Sequence, residues 1–407
     1  MSPRHATSLD VVPLRLFVEE LVCTVCRFMH VEQDAVEPQS VRIRQEVPLS
    51  GDDAFADIVV SVPGKESYVV EVKSGYPPDR VVRALARKYG GNVSWDVPVS
   101  RMICIVDHFA EVDLRRLEAE IRNLIPGHMS LELWDERELL KQVRRYFGVA
   151  IDSLDLDHIQ DIRDAIDRAK GQYAFGEAHD NSALESSLLW HFGYWRLREL
   201  FDQAGRAKRK VLTPGNYPAV ACVFADLSGF SGYVRDTHDH QTIEDCLTAF
   251  YTRARYQIIN DGGMLYQFLG DAVIGLFGIP SHRSGYLDHA FESARALLSV
   301  AASISNEWQR QLDRVQPARG GHVGIALGNI QVLSLRPFSR THIGVVSDAI
   351  NMAARLCSAA RPGQIVLSNL LHRELSSDAK AVLKEAPPVE AKNVGTIKAW
   401  LYEDRPH

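Results

Sequence analysis

Val223-Phe224-Ala225-Asp226-Leu227-Ser228-Gly229-Phe230 and Gly262-Gly263-Met264-Leu265-Tyr266-Gln267-Phe268-Leu269-Gly270-Asp271-Ala272-Val273 are the two stretches that decide the reading of this sequence. The first predicts a strand whose end opens into a Gly-Phe turn and a helix. The second predicts a tight hairpin, with a carboxylate at the start of the returning strand. Two such strands side by side place Asp226 and Asp271 at one edge of a sheet. Hard oxygen donors so placed suit Mg²⁺ or Mn²⁺, and those cations in turn suit a triphosphate.

Around these stretches, residues 213–407 read as short strands with helices between them. Ala219–Ala225, Met264–Phe268, Ala272–Phe277, Val323–Leu327, Ile330–Leu335, Gln364–Ser368 and Ala399–Tyr402 predict strands. Thr242–Asp261, Leu287–Leu312 and Ser347–Ala360 predict helices. The combination predicts an α+β sandwich of ferredoxin-like arrangement. Residues 149–212 differ. Ile151–Lys170 and Leu184–Arg209 carry apolar residues at three- and four-residue intervals, with a break over Gly171–Asn181. They predict a helical connector suited to pairing across a dimer, and its basic end, Arg206 to Lys210, reads as a solvated helix terminus. Residues 1–148 alternate helices (Leu14–Met29, Arg80–Tyr89, Leu114–Leu124) with strands (Ala56–Val62, Ser67–Lys73, Met102–Asp107, Ser130–Trp134). That alternation predicts a small α/β domain.

The 407 residues are 46% hydrophobic and 24% charged, as in ordinary globular chains. The net charge of −6 argues against a nucleic-acid binder acting through its whole surface, though not against a local basic patch. No apolar run approaches the ~18 residues of a membrane span. The polar stretch Met1–Asp10 does not read as a leader. Six cysteines make no disulfide framework, which predicts a cytoplasmic setting. Cys23 and Cys26, with His30 following, lack a fourth ligand and read as the core of a helix rather than as a zinc site.

Four motifs in order make residues 213–407 resemble the class III nucleotide cyclases. They are Phe224 to Phe230, Gly270-Asp271-Ala272, Gly324-Ile325-Ala326-Leu327-Gly328, and Ser347-Asp348-Ala349-Ile350-Asn351-Met352-Ala353-Ala354-Arg355. The resemblance implies that a 3′-hydroxyl attacks the α-phosphorus of its own nucleoside triphosphate and that pyrophosphate leaves. It implies two divalent cations, Mg or Mn, held by Asp226, Asp271 and the backbone carbonyl of Leu227. Gly229 and Phe230, in the turn that opens the next helix, would offer N–H groups to phosphate. Arg355 matches the arginine that meets charge at the α-phosphate, and Asn351, one helical turn earlier, matches the ribose-orienting asparagine. Lys392 matches a lysine on the terminal phosphates, although Asn393 stands where the family has glycine. Because such sites form between two cyclase domains, the resemblance implies a homodimer with two equivalent sites.

Two further family positions read the base. Here they are Gln267 and Gly344, which fit neither the adenine nor the guanine pattern. A glutamine amide both donates and accepts, so it can pair with uracil or with cytosine but cannot choose between them. The alternative is that Gln267 packs structurally while backbone or water reads the base. The departure resembles the pyrimidine cyclases of bacterial antiphage systems, in which infection triggers synthesis of cyclic UMP or cyclic CMP. An adenylate or guanylate cyclase with an atypical pocket is the competing reading.

Asp57, followed on the next strand by Glu71 and Lys73, resembles the core of the restriction-endonuclease-like fold over roughly residues 30–148. Strand alternation points Glu71 and Lys73 to one side. The resemblance implies a Mg²⁺ nuclease site, active or vestigial. Fusion to a cyclase favours a sensor of a phage-derived or nucleic-acid trigger, with Arg80, Arg83, Arg87 and Lys88 as a basic helix face or simply a solvated one. A third reading inverts the roles: a DNA-binding or DNA-cutting protein whose cyclase-like half only dimerises.

Overall fold

The computed structural model describes residues 8–49, 54–90, 95, 98–155, 157–175, 183–204, 211–237, 239–312, 320–335, 342–391 and 395–403. The chain divides into two compact units, residues 1–180 and 181–406. Among the described residues no helix is long and apolar enough to cross a membrane.

The first unit runs α1 (Ser8–Asp34), β1 (Arg42–Pro48), β2 (Phe55–Ser61), β3 (Ser67–Val72), α2 (Pro78–Tyr89), β4 (Val99–Ile105), α3 (Glu111–Arg122), β5 (Ser130–Trp134), α4 (Glu136–Phe147) and α5 (Ile159–Phe175). Its sheet has the order β1-β2-β3-β4-β5. The first three strands are antiparallel and the last three parallel. Val69 on β3 and Met102 and Cys104 on β4 are fully buried, in one cluster with Val81, Leu85 and Tyr89 of α2 and Leu117 and Ile121 of α3. Cys23 and Cys26 are fully buried in α1. His30 is satisfied by Asp34 at 2.6 Å and the Tyr68 hydroxyl at 2.9 Å, so these residues are core, as their spacing suggested. Sequence patterning missed β1 and α4. The signals for α4 are nevertheless local: Asp135 caps it by accepting from the Glu138 N–H at 3.0 Å, and Gly148 ends it with φ of 69°.

The second unit runs α6 (Ala183–Ala204), β6 (Gly215–Leu227), α7 (Phe230–Asp236), α8 (His240–Asn260), β7 (Met264–Leu269), β8 (Ala272–Phe277), α9 (Tyr286–Leu312), β9 (Gly321–Leu335), β10 (His342–Val346), α10 (Asp348–Ala359), β11 (Gln364–Ser368), α11 (Asn369–Glu374), α12 (Ser377–Ala381), β12 (Lys384–Glu385), β13 (Val389–Ala391), β14 (Gly395–Ile397) and β15 (Ala399–Glu403). The main sheet has the order β12-β15-β11-β9-β6-β8-β7, with β10 alongside β9. This is the mixed α+β arrangement the pattern predicts. One correction concerns Val323–Leu327 and Ile330–Leu335, expected as two strands: β9 is a single 15-residue strand. Gly328-Asn329 does not turn, because both sides stay paired to β6, with a bulge taking up the irregularity between Tyr217 and Val220.

The helices expected as one connector fall in different units, α5 in the first and α6 in the second. Helix α6 breaks at Gly193, whose φ of 67° and ψ of 173° interrupt the helical bonds. Arg255 of α8 donates to the carbonyls of Leu189 (3.1 Å) and Trp190 (3.2 Å) that the break leaves without helical partners. The basic run Arg206 to Lys210 lies outside the described residues.

Candidate active site

Asp226 is the penultimate residue of β6, an interior strand of the sheet between β9 and β8. It pairs with Ala272 of β8 on one side and His322 of β9 on the other. Asp271 immediately precedes Ala272, at the tip of the β7–β8 hairpin. The backbone carbonyl of Asp271 accepts from the Leu227 N–H at 3.3 Å, fixing that tip against the end of β6. Tyr251 of α8 donates its hydroxyl to the Gly270 carbonyl and braces the tip from behind. The two acids expected to meet at one sheet edge therefore do meet, with Leu227 between them in the backbone.

The electrostatics of this pair are unfavourable as it stands. Burial, and then the facing Asp271 carboxylate, push the Asp226 carboxyl up to about 6. Asp226 Oδ1 is buried and has no hydrogen-bond partner. Its other oxygen, Oδ2, lies 3.6 Å from His322 Nε2. An orphaned carboxylate oxygen beside a second carboxylate is a donor set that a divalent cation would satisfy. Among the described residues no group of three or more His, Cys, Asp or Glu is arranged to hold a metal. Two carboxylates and one carbonyl fit Mg²⁺ or Mn²⁺ chemistry, in which substrate phosphates complete the shell.

Gly229, with φ of 76°, turns the chain into α7, and Phe230 packs its ring 5.8 Å from that of Trp308. The Ser228 N–H donates to the Gly320 carbonyl at 2.9 Å, so the turn is held against the start of β9.

Helix α10 lies close on β9 because glycines stand at the two points of closest approach. A Cβ at Gly324 would land on the Ala353 carbonyl and the Cys357 amide, and one at Gly328 would sit 2.8 Å from the Ala349 methyl. Ala349, Ala353 and Cys357 share one face of α10, four residues apart, and form the close contact. Ser347 caps the helix by accepting from the Ala349 N–H at 3.0 Å. Asn351 is exposed and Arg355 half-buried. The Cys357 thiol donates to the His322 carbonyl at 3.3 Å, and burial, helped by Asp226, pushes its pKa up. Cys357 is thus the α10 residue turned toward the acids, and Arg355, two positions earlier, points about 200° away around the helix.

Gln267 is exposed on β7. Gly344 of β10 is buried. Their neighbours touch: the Val345 N–H donates to the Tyr266 hydroxyl at 3.3 Å. The structure thereby brings Gln267 and Gly344, expected to read the base, into one neighbourhood. Tyr266 is the extra residue of a bulge in β7. Lys392 lies outside the described residues, as does the side chain of His342.

His322 carries no sequence motif of its own and was missed. Its only signal is register: two residues before Gly324, it falls directly opposite Asp226. Burial, against an opposing push from Asp271, holds its pKa below the ordinary histidine value.

In the first unit, Asp57, Glu71 and Lys73 come together, all nearly inaccessible. Lys73 Nζ donates to Asp57 Oδ2 and Glu71 Oε2, both at 2.6 Å. Lys88 and Tyr89 of α2 complete the cluster. Lys88 Nζ reaches Asp57 Oδ1 at 2.6 Å and Glu71 Oε2 at 2.7 Å, and the Tyr89 hydroxyl donates to Glu71 Oε1 at 2.6 Å. All four carboxylate oxygens are taken by this chain's own donors. This corrects the expected basic face of α2: Arg80, Arg83 and Arg87 are exposed, but Lys88 turns inward to neutralise two buried acids. Burial opposes ionisation of Asp57, yet Lys73 and Lys88 hold it well below the usual carboxylate range.

Residues 212–403 match the family model described as the adenylate and guanylate cyclase catalytic domain. Relatives include two uncharacterised proteins of Mycobacterium tuberculosis. Rv1320c is 28% identical over 189 residues, covering 46% of this chain and 31% of the relative. Rv1319c is 26% identical over 183 residues, covering 43% and 32%. The chain spans about a third of the length of the curated relatives it matches. Similar solved structures include the guanylyl cyclase Cya2 (21% identity, TM-score 0.41, 48% of this chain and 98% of that one). Another is the adenylyl cyclase CyaB from P. aeruginosa (20%, TM-score 0.41, 48% and 98%). With the acid pair, the hairpin and the glycine-floored helix in place within the matched span, residues 212–403 form a nucleotidyl cyclase catalytic domain of the adenylate and guanylate cyclase family.

Proposed function

We propose that the protein converts a pyrimidine nucleoside triphosphate, UTP or CTP, to its 3′,5′-cyclic monophosphate and pyrophosphate. The observation that carries the cyclase reading is the meeting of Asp226 and Asp271, one with an unpartnered buried oxygen. When bound, two divalent cations would lower the pKa of the 3′-hydroxyl and neutralise the phosphates. Asp226, Asp271 and the Leu227 carbonyl hold them in place. Gly229 and Phe230, at the turn, face the phosphates. Asn351 orients the ribose, and Arg355 meets the charge that develops at the α-phosphate. Lys392 steadies the terminal phosphates.

Arg355 and Asn351 come from a second copy of the chain. The support is angular: Cys357 is the side of α10 next to this chain's own acids, so Arg355 is directed elsewhere. A head-to-tail pair then completes two identical sites. The pyrimidine preference rests on Gln267 and Gly344. Gly344 offers no side chain to a base, and the exposed Gln267 amide can mirror the donor–acceptor edge of uracil or cytosine. The likeness to antiphage pyrimidine cyclases extends the reading to a messenger made in the cytoplasm on infection.

The first unit serves as the input domain, of restriction-endonuclease-like fold, and senses rather than cuts. Its acid cluster is already saturated by Lys73, Lys88 and Tyr89, which leaves no carboxylate oxygen free for a cation. The exposed Arg80, Arg83 and Arg87 are the surface it offers to a nucleic-acid trigger.

Incubating the full chain with each of the four ribonucleoside triphosphates and Mn²⁺, and weighing the products, tests the whole reading. Cyclic UMP or cyclic CMP in excess is expected. Cyclic AMP or cyclic GMP as the main product would replace the pyrimidine assignment with a purine one, and no cyclic product from any substrate would end the cyclase reading.

A further inference from the structure

We infer that His322 is a positioning residue for the acid pair: it engages Asp226 Oδ2 and so leaves Oδ1 presented to a divalent cation. The inference rests on the reading of Asp226 and Asp271 as cation ligands.

Register comes first. His322 and Asp226 are direct partners on neighbouring antiparallel strands, so their side chains leave the sheet on the same face. The imidazole has a polar neighbour at each nitrogen. Nδ1 lies 2.9 Å from the buried Ser228 hydroxyl, and Nε2 lies 3.6 Å from Asp226 Oδ2. A neutral imidazole has one donor and one acceptor nitrogen. Facing a carboxylate, Nε2 carries the proton, and Nδ1 accepts from the Ser228 O–H. At 3.6 Å the Nε2 contact is an electrostatic approach rather than a formed hydrogen bond.

The backbone of His322 is pinned as well. Its carbonyl accepts from the Cys357 thiol at 3.3 Å, which links it to α10, and the Ser228 N–H bonds to Gly320 two residues upstream. The ring therefore stands on a fixed platform between the turn Ser228-Gly229 and the acid. Its effect is to make the two oxygens of Asp226 unequal. Oδ2 has the N–H edge of the ring beside it, and the buried Oδ1 has no hydrogen-bond partner. An outer partner that orients a ligating carboxylate in this way typically sets metal affinity by ~10–100-fold.

The test measures Mn²⁺ binding to the full chain without nucleotide, by the loss of the free-Mn²⁺ electron paramagnetic resonance signal. His322→Ala is expected to weaken Mn²⁺ binding about 10-fold or more. His322→Gln, whose amide can still accept from Ser228 and donate to Asp226, is expected to stay within about threefold of wild type. Asp226→Ala removes the binding. If Asp226→Ala abolishes binding while His322→Ala leaves it unchanged, or if His322→Gln is as weak as His322→Ala, the positioning role is overturned and the cation reading stands. If Asp226→Ala and Asp271→Ala bind Mn²⁺ like wild type, the cation reading fails and the inference goes with it. Should His322→Ala not fold, His322→Gln decides: retained affinity supports the role, and a 10-fold loss with a native melting curve overturns it.

Discussion

At the scale of single residues, Asp226 is held in a state that costs stability. Its folded pKa of about 6 exceeds the ordinary aspartate value, so the folded protein holds that proton more tightly than the unfolded chain. The cost is absent below about pH 4, grows as pH rises through 6, and is complete above it. Asp226→Asn is therefore expected to stabilise the cation-free protein at pH 8 by on the order of 1–3 kcal/mol, and to have little effect at pH 4. Thermal unfolding at the two pH values measures this, and a lower melting temperature for the variant at pH 8 would contradict the unfavourable pair. Added Mn²⁺ is expected to raise the melting temperature of wild type but not of the variant, because only the former gains by binding in the folded state. The buried cluster of the first unit has the opposite sign. Asp57 is held below its ordinary range, so its contribution is present at neutral pH and is lost as pH falls from the ordinary aspartate value through the depressed one. Lys73→Met leaves two buried carboxylates short of a partner and is expected to cost about 3–5 kcal/mol. Adding Asp57→Asn to that variant recovers part of the loss, as a double-mutant cycle would show. Additive losses would mean the two residues do not act as a pair.

At the scale of elements, the packing of α10 on β9 is the most demanding contact in the catalytic domain. Gly324→Ala forces a methyl into helix backbone, which cannot yield without moving α10 as a whole. Gly328→Ala meets only the Ala349 methyl at 2.8 Å, where a small shift relieves the clash. The first change is expected to destabilise the domain by more than ~3 kcal/mol and to abolish turnover, and the second by about 1–3 kcal/mol. Urea unfolding orders the two, and the reverse order would show that the helix does not sit as described. The same contact explains why the Gly-Ile-Ala-Leu-Gly run is legible in sequence: two glycines four apart on a strand share a face, and the helix that follows supplies small residues at matching intervals. By contrast, the turn composition of Gly328-Asn329 predicts two strands, and only the continuous pairing partner β6 overrides it.

For the whole molecule, the proposed division of labour between two copies has a direct consequence. Asp226→Ala and Arg355→Ala each remove one half of every site. Co-expressed in equal amounts, they form mixed dimers in half of all cases, each with one intact site. About a quarter of wild-type activity is then expected, where either variant alone has almost none. Inactivity of the co-expressed mixture, with mixed dimers isolated by two affinity tags, would refute sites shared between copies.

Local sequence determined where the two acids fall and most of the elements that hold them. Asp226 and Asp271 stand out because strand, turn and hairpin signals lie within a few residues of each, and short-range backbone preferences fix such units. The tertiary structure alone decided what lies across from them. His322 reached the acid, and Lys88 left its exposed helix face for a buried pair of carboxylates, through strand register and helix docking. These couple residues tens of positions apart, 96 from Asp226 to His322 and 31 from Asp57 to Lys88, so no local pattern records them.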